Sequence, residues 1–182
     1  MKLTLDARAF RTPHDGISRY SLGVIKALTR LEPDWELSVI VNPAGISHIK
    51  GLPVEVVVSR AVRFHHGENR KLDPLIKSLK TNCYLNLSMA GPCPDIPTVI
   101  TVHDLMVLTF PGYFGTTMLK NLFAKQFFKN RIKKSVESAS AISVPSMATY
   151  NDVRSSFANS GDKIFVTGEG QDLFSGDDEG GG

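Results

Sequence analysis

The stretch Val99-Ile100-Thr101-Val102-His103-Asp104-Leu105 sets a β-branched run directly before a histidine and an aspartate. In open α/β sheets ligands bind beyond the carboxyl ends of the strands, so a strand that closes on polar side chains delivers them to a crevice. Ala141-Ile142-Ser143-Val144-Pro145-Ser146 has the same form, with helical spacing over 147–158. The two strand ends predict one shared crevice.

Outward from these stretches the same order of strand, loop and helix recurs. Leu3-Thr4-Leu5-Asp6 alternates as a strand does, and residues 17–31 carry Tyr20, Val24, Ala27, Leu28 and Leu31 on one helical face. Further strands are expected at 37–41, 54–58, 83–87, 98–102, 141–144 and 163–166, and helices at 69–80, 117–137 and 146–157. The alternation predicts an α/β fold, a three-layer sandwich whose mostly parallel sheet carries helices on both faces. Residues 1–167 read as one domain. Residues 168–182 are rich in glycine and acid without apolar periodicity and read as a flexible linker or tail, so the chain is expected either to be a piece of something larger or to end in an unusually flexible terminus.

Composition supports a self-sufficient core, since 42% of the 182 residues are hydrophobic. Cys83 and Cys93 fall outside any CxxC or Cys/His metal spacing, so neither a disulfide framework nor a zinc site is expected and a reducing cytoplasm is. No run approaches the roughly 18 apolar residues of a membrane span, and Met1 leads into a strand pattern, so the expectation is a soluble, unexported chain. Four acids and no Lys or Arg follow Gly170, so the formal charge of +3 becomes +7 for residues 1–170. Such a body attracts phosphorylated ligands, anionic membranes or nucleic acid.

Gly16 stands directly before the first helix, where a glycine admits close backbone approach and opens helix N-terminal amides to a phosphate. Asp15-Gly16 reads equally as a turn and helix start. The chain lacks both G-x-G-x-x-G and G-x-x-x-x-G-K-[ST], so nicotinamide cofactors and P-loop hydrolysis lose support. His103 has the chemistry to hydrogen-bond a ligand hydroxyl or phosphate, or to cap its own loop. Asp104 can accept from a sugar hydroxyl or orient that loop. Ser146, three residues before Thr149, reads as a helix cap.

His65-His66-Gly67-Glu68 reads as a solvated loop and not as a metal cluster. In the helix over 117–137, Leu119, Phe123, Phe127, Ile132 and Val136 form a stripe expected to pack on the sheet. Six basic residues are interleaved with it and no acid precedes Glu137. A membrane-surface or anionic-acceptor role is the other reading.

In this order the segments resemble the N-terminal half of a GT-B glycosyltransferase, in particular glycosyltransferase family 4. The resemblance rests on Leu5-Asp6-Ala7-Arg8 with Asp15-Gly16-Ile17-Ser18-Arg19-Tyr20, and on Val102-His103-Asp104-Leu105 with Phe110-Pro111-Gly112-Tyr113-Phe114. It rests also on Ala141 to Ser146 with Asn151-Asp152-Val153, and on Asp162-Lys163-Ile164-Phe165-Val166 with Gly168-Glu169-Gly170-Gln171-Asp172.

It implies a Rossmann-like acceptor-side domain of a retaining hexosyltransferase that uses a nucleotide-sugar in polysaccharide biosynthesis, inactive or nearly so without its donor-binding C-terminal domain. By resemblance Gly16 approaches the donor diphosphate, His103 contacts the transferring sugar as the catalytic residue, and Ser146 and Thr149 line the cleft. Asp15, Arg19 and Asp104 fall on the substrate side. A glycan or lipid-linked acceptor, peripheral contact with the inner face of a membrane and a homodimer fit the pattern. A metal, a bound cofactor and nucleic acid are not implied. The competing expectation is a non-catalytic module that binds anionic glycans, lipids or a protein partner.

Overall fold

The computed structural model describes residues 1–10, 15–65, 67–110, 113–114, 118–158 and 160–169. Seven strands form one sheet: β1 (Lys2–Asp6), β2 (Glu36–Val41), β3 (Glu55–Val58), β4 (Cys83–Asn86), β5 (Thr98–Thr101), β6 (Ala141–Val144) and β7 (Ile164–Val166). Their order is β3-β2-β1-β4-β5-β6-β7, and every neighbouring pair is parallel, where the sequence had suggested a mostly parallel sheet. Winding proceeds outward from β1 through β2 to β3, then restarts on its other side at β4. The carboxyl ends of β1 and β4 therefore flank the point where a doubly wound sheet opens its crevice.

Among the described residues five α-helices lie between the strands: α1 (Gly16–Leu31), α2 (Glu68–Ser78), α3 (Met106–Thr109), α4 (Met118–Ser138) and α5 (Met147–Ser156). Successive side chains of a strand point to opposite faces, and β2 shows what each face meets. Leu37, Val39 and Val41 pack in a cluster with Ile25 of α1, while Ile40 joins Leu72 and Ile76 of α2. A strand buried on both faces reads as a continuous apolar run, which is why these segments were legible.

Two helices seat differently from their sequence pattern. The most buried residues of α1 are Ser18, Ser21 and Ile25, while Leu31, placed on the core face by periodicity, is exposed. Small hydroxyl residues let the helix approach the sheet closely, and the expected stripe flanks that line.

In α4 only Ile132, Ser135 and Val136 are buried, and Met118, Leu119, Leu122 and Phe123 lie in solvent, Phe123 at 73% exposure. The expected continuous stripe thus holds for the second half alone. At 3.6 residues per turn Leu119 and Phe123 lie on roughly the opposite side of the helix from Ile132 and Val136, so burying the second pair turns the first to solvent.

The sequence 65–68 is also corrected. Glu68 is not a solvated loop residue but opens α2 and is 1% exposed, while His65 is exposed and His66 lies outside the described residues.

Candidate active site

β5 ends at Thr101, and Val102 prolongs its pairing by donating its N–H to the Ser143 carbonyl at 2.9 Å. The next residue, His103, leaves the sheet with its side chain 12% exposed and meets four separate segments. Tyr20 of α1 packs edge-on against the imidazole, with centroids 4.7 Å apart and an 88° interplanar angle. Nδ1 lies 2.9 Å from Glu169 Oε1, just beyond β7, and Nε2 lies 3.4 Å from the Leu87 carbonyl that follows β4. The backbone carbonyl of His103 accepts from Thr149 Oγ1 at 3.2 Å. A carboxylate only accepts, so the proton sits on Nδ1 and the ring orientation is fixed by its partner.

Ser146 caps α5: its Oγ accepts the Thr149 N–H at 3.2 Å and lies 3.2 Å from Thr149 Oγ1. Tyr20, His103, Thr149 and Ser146 thus form one line of contacts across the carboxyl edge. Asp15 and Gly16 begin α1 one turn before Tyr20, at the same edge. Asp15 is its N-cap, accepting from Ser18 N–H at 2.9 Å and from Ser18 Oγ at 2.8 Å.

A Cβ built on Gly16 meets no atom within 4 Å, so the fold itself does not require a glycine there. Arg19 is exposed on the first turn, its N–H donating to the Asp15 carbonyl at 3.0 Å. Exposed Asp104 lies just before α3 and accepts the Met106 N–H at 2.8 Å. The carboxylates of Asp15 and Asp104 are thus both engaged in ordering the backbone. Residues 11–14 of the first loop lie outside the described residues.

Beside this line stands a buried ionic cluster that sequence reasoning missed. Arg8 Nη2 bridges Asp6 Oδ2 at 2.6 Å and Glu68 Oε1 at 2.7 Å, and Arg8 Nη1 donates to the Ala61 carbonyl at 3.0 Å. Tyr84 donates to Asp6 Oδ2 at 2.6 Å, and Glu68 Oε2 takes Arg131 Nη2 at 2.5 Å and the Phe64 N–H at 2.8 Å. That last bond helps hold Phe64 at φ +61°, a left-handed conformation that a side chain other than glycine adopts only under constraint.

Burial alone would push the Asp6 carboxyl up, but the adjacent Arg8 guanidinium, hydrogen bonds from Arg8 and Tyr84, and the field of Arg63 hold it below the usual aspartate range. Burial and the Asp6 charge push the Tyr84 phenol well up. The sequence signal was an aspartate closing a buried strand with an arginine two residues on. Nothing in the sequence paired Arg8 with a glutamate sixty positions away.

Among the described residues no group of three or more His, Cys, Asp and Glu side chains could hold a metal, and no helix is long and apolar enough to cross a membrane. No family model and no curated protein matches the chain.

Solved structures do match. Anabaena HepE, in complex with UDP and glucose, superposes with TM-score 0.55 and 15% identity over 94% of this chain and 45% of its own. The half of a GT-B fold is what this chain adopts. A UGT transferase from Siraitia grosvenorii in complex with UDP gives 0.56 at 12% identity, covering 92% of this chain and 47% of that one. CalG4, the calicheamicin glycosyltransferase, gives 0.52 at 13% identity, covering 93% and 52%. The chain therefore spans about half the length of each, and at these identities the likeness establishes the Rossmann-like half-fold alone.

Proposed function

We propose that this chain is the acceptor-side wall of a retaining glycosyltransferase of the family 4 type, which moves a hexose from a nucleotide-sugar to a glycan or lipid-linked acceptor in cytoplasmic polysaccharide biosynthesis. The observation that carries this reading is His103. It stands beside the topological switch point, oriented by Glu169 and Tyr20, in a fold shared with proteins solved in complex with UDP. Gly16 at the N-terminus of α1 is the approach to the donor diphosphate, and Ser146 and Thr149 border the same crevice. Arg19 and the loop that Asp104 orders face the substrates.

A donor-binding half is the expected partner. Oriented groups from both walls are needed for catalysis, so one wall alone has little turnover. Isothermal titration of UDP-sugars is expected to give weak binding to this chain and markedly tighter binding to a polypeptide carrying a second Rossmann-like half. A two-half polypeptide that neither binds nor transfers any nucleotide-sugar refutes the reading.

The first half of α4 favours an acceptor presented on an anionic lipid surface. Met118, Leu119, Leu122 and Phe123 are exposed together with Lys120, Lys125 and Lys129, an arrangement that inserts apolar side chains while lysines meet phosphates. Each lysine near such a surface contributes about 1 kcal/mol, so Lys125→Ser with Lys129→Ser is expected to weaken vesicle binding roughly 30-fold. Leu119→Ser with Phe123→Ser should weaken it as well. Sedimentation with phosphatidylserine vesicles reads both effects. Binding that neither double variant alters removes α4 from the membrane.

A further inference from the structure

We propose that the pocket beside Arg63 binds a phosphate group carried by the acceptor. Arg8, Asn42, Ser59, Arg60, Ala61 and Arg63 line an open cavity of about 410 Å³ at the carboxyl ends of β1, β2 and β3. That volume lies in the range that holds small-molecule ligands. Its arginines have different states. Arg8 is committed to Asp6, Glu68 and the Ala61 carbonyl. Arg63 is half-buried, its Nη2 donating to Ser88 Oγ and its guanidinium lying 4.7 Å from the centre of the Phe64 ring. Arg60 is exposed at the rim. Among the described residues no carboxylate lies within ion-pair distance of Arg63 or Arg60.

The charges of the cluster do not cancel. Arg8, Arg63 and Arg131 face Asp6 and Glu68, which leaves one positive charge in excess, and Arg60 adds a second. A phosphate monoester carries about −1.5 to −2 at neutral pH, so it balances this excess where a carboxylate would leave half of it. Guanidinium forks also match phosphate oxygens in geometry, and partial withdrawal from water strengthens the contact. Burial pushes the Arg63 guanidinium down while the Asp6 charge opposes it, the condition of a cation short of solvent.

The two residues that follow β4 link Arg63 of the pocket to the candidate active site. Ser88 holds Arg63, and the preceding residue, Leu87, turns its carbonyl toward His103 Nε2. A phosphorylated acceptor seated at Arg63 would thus lie beside the histidine. That the occupant is the acceptor rests on the transferase reading; that it bears a phosphate rests on the charges.

The test uses the intact chain without any nucleotide-sugar. Inorganic phosphate and glycerol 3-phosphate are titrated against sodium chloride at matched ionic strength, with the thermal midpoint and amide NMR shifts as readouts. Saturable binding is expected in the wild type, weakened roughly ten- to a hundredfold in Arg63→Gln, with a smaller loss in Arg60→Gln, whose exposed side chain leaves folding intact. Vesicles of phosphatidic acid against soluble glycerol 3-phosphate tell a lipid-borne phosphate from a free one, and Arg63→Gln should impair whichever binds.

A phosphate response no larger than that of chloride, or one retained by both variants, overturns the site. Phosphate binding lost in Arg63→Gln, in a protein that transfers no sugar with its second half, keeps the site and refutes only the transferase. Transfer that proceeds while phosphate binding is indifferent to Arg63 refutes only the site.

Discussion

Glu68→Gln is expected to lower the stability of the chain by about 3–5 kcal/mol, the cost of removing one partner from a buried ion pair. Glu68 is 1% exposed and serves Arg8 and Arg131 through different oxygens while also accepting the Phe64 N–H. Glutamine keeps the volume but brings one acceptor instead of two and turns an amide N–H toward a guanidinium. Arg8 would then keep only the Asp6 carboxylate in its buried site, and the partly exposed Arg131 would lose its carboxylate partner. Against a total of about 5–15 kcal/mol for a domain, the loss is large enough to move the urea midpoint well to lower concentration. A change below about 1 kcal/mol would show that the cluster contributes little, as ion pairs at a surface do.

The same cluster sets the acid limb of stability. The folded Asp6 carboxyl lies below its ordinary value because Arg8, Tyr84 and Arg63 together outweigh burial. A carboxyl lowered on folding contributes its full stabilisation above the unfolded value of about 3.9 and loses it as pH falls through the folded value. Stability owed to Asp6 is therefore flat from pH 7 to about pH 4 and declines below. Asp6→Asn should flatten that decline as well as weaken the fold at neutral pH.

What was legible follows from how each feature is encoded. Strands buried on both faces write themselves as β-branched runs, so β2, β5 and β6 were found within a residue of their ends. The rule that ligands meet strand ends then singled out His103 and Ser146, which the fold joins through Thr149.

Phe123 lies nine residues before Ile132, about half a rotation away from it on α4, so the face that buries Ile132 and Val136 turns Phe123 to solvent. Other features depend on distances that periodicity does not carry. Glu169 fell within the stretch that read as a linker or tail, and the fold makes it the partner of His103, because β7 returns the chain to the edge where β5 ends. Charged residues read as solvated by default, and only the crossover from β1 to α2 shows that Arg8 and Glu68 neutralise each other.

In a polypeptide that joins this chain to a donor-binding half, His103→Ala is expected to reduce sugar transfer on the order of a hundred- to a thousandfold, the usual effect of removing one preorganised polar group from a reacting centre. Its partners fix the ring before any ligand arrives: Tyr20 at its edge, Glu169 at Nδ1 and Thr149 on its carbonyl. Nε2 meets only a long contact to the Leu87 carbonyl and, with the proton on Nδ1, is the ring atom able to accept from a sugar hydroxyl.

Alanine forfeits the edge-to-face contact as well, worth about 0.5–1.5 kcal/mol, so the unfolding midpoint must be measured alongside activity. Glu169→Gln separates position from charge. Its amide oxygen still accepts from Nδ1, so a milder loss, confined to kcat, is expected if the carboxylate chiefly orients the ring. Transfer by His103→Ala within threefold of the wild type, in a folded protein, would remove the histidine from the reaction.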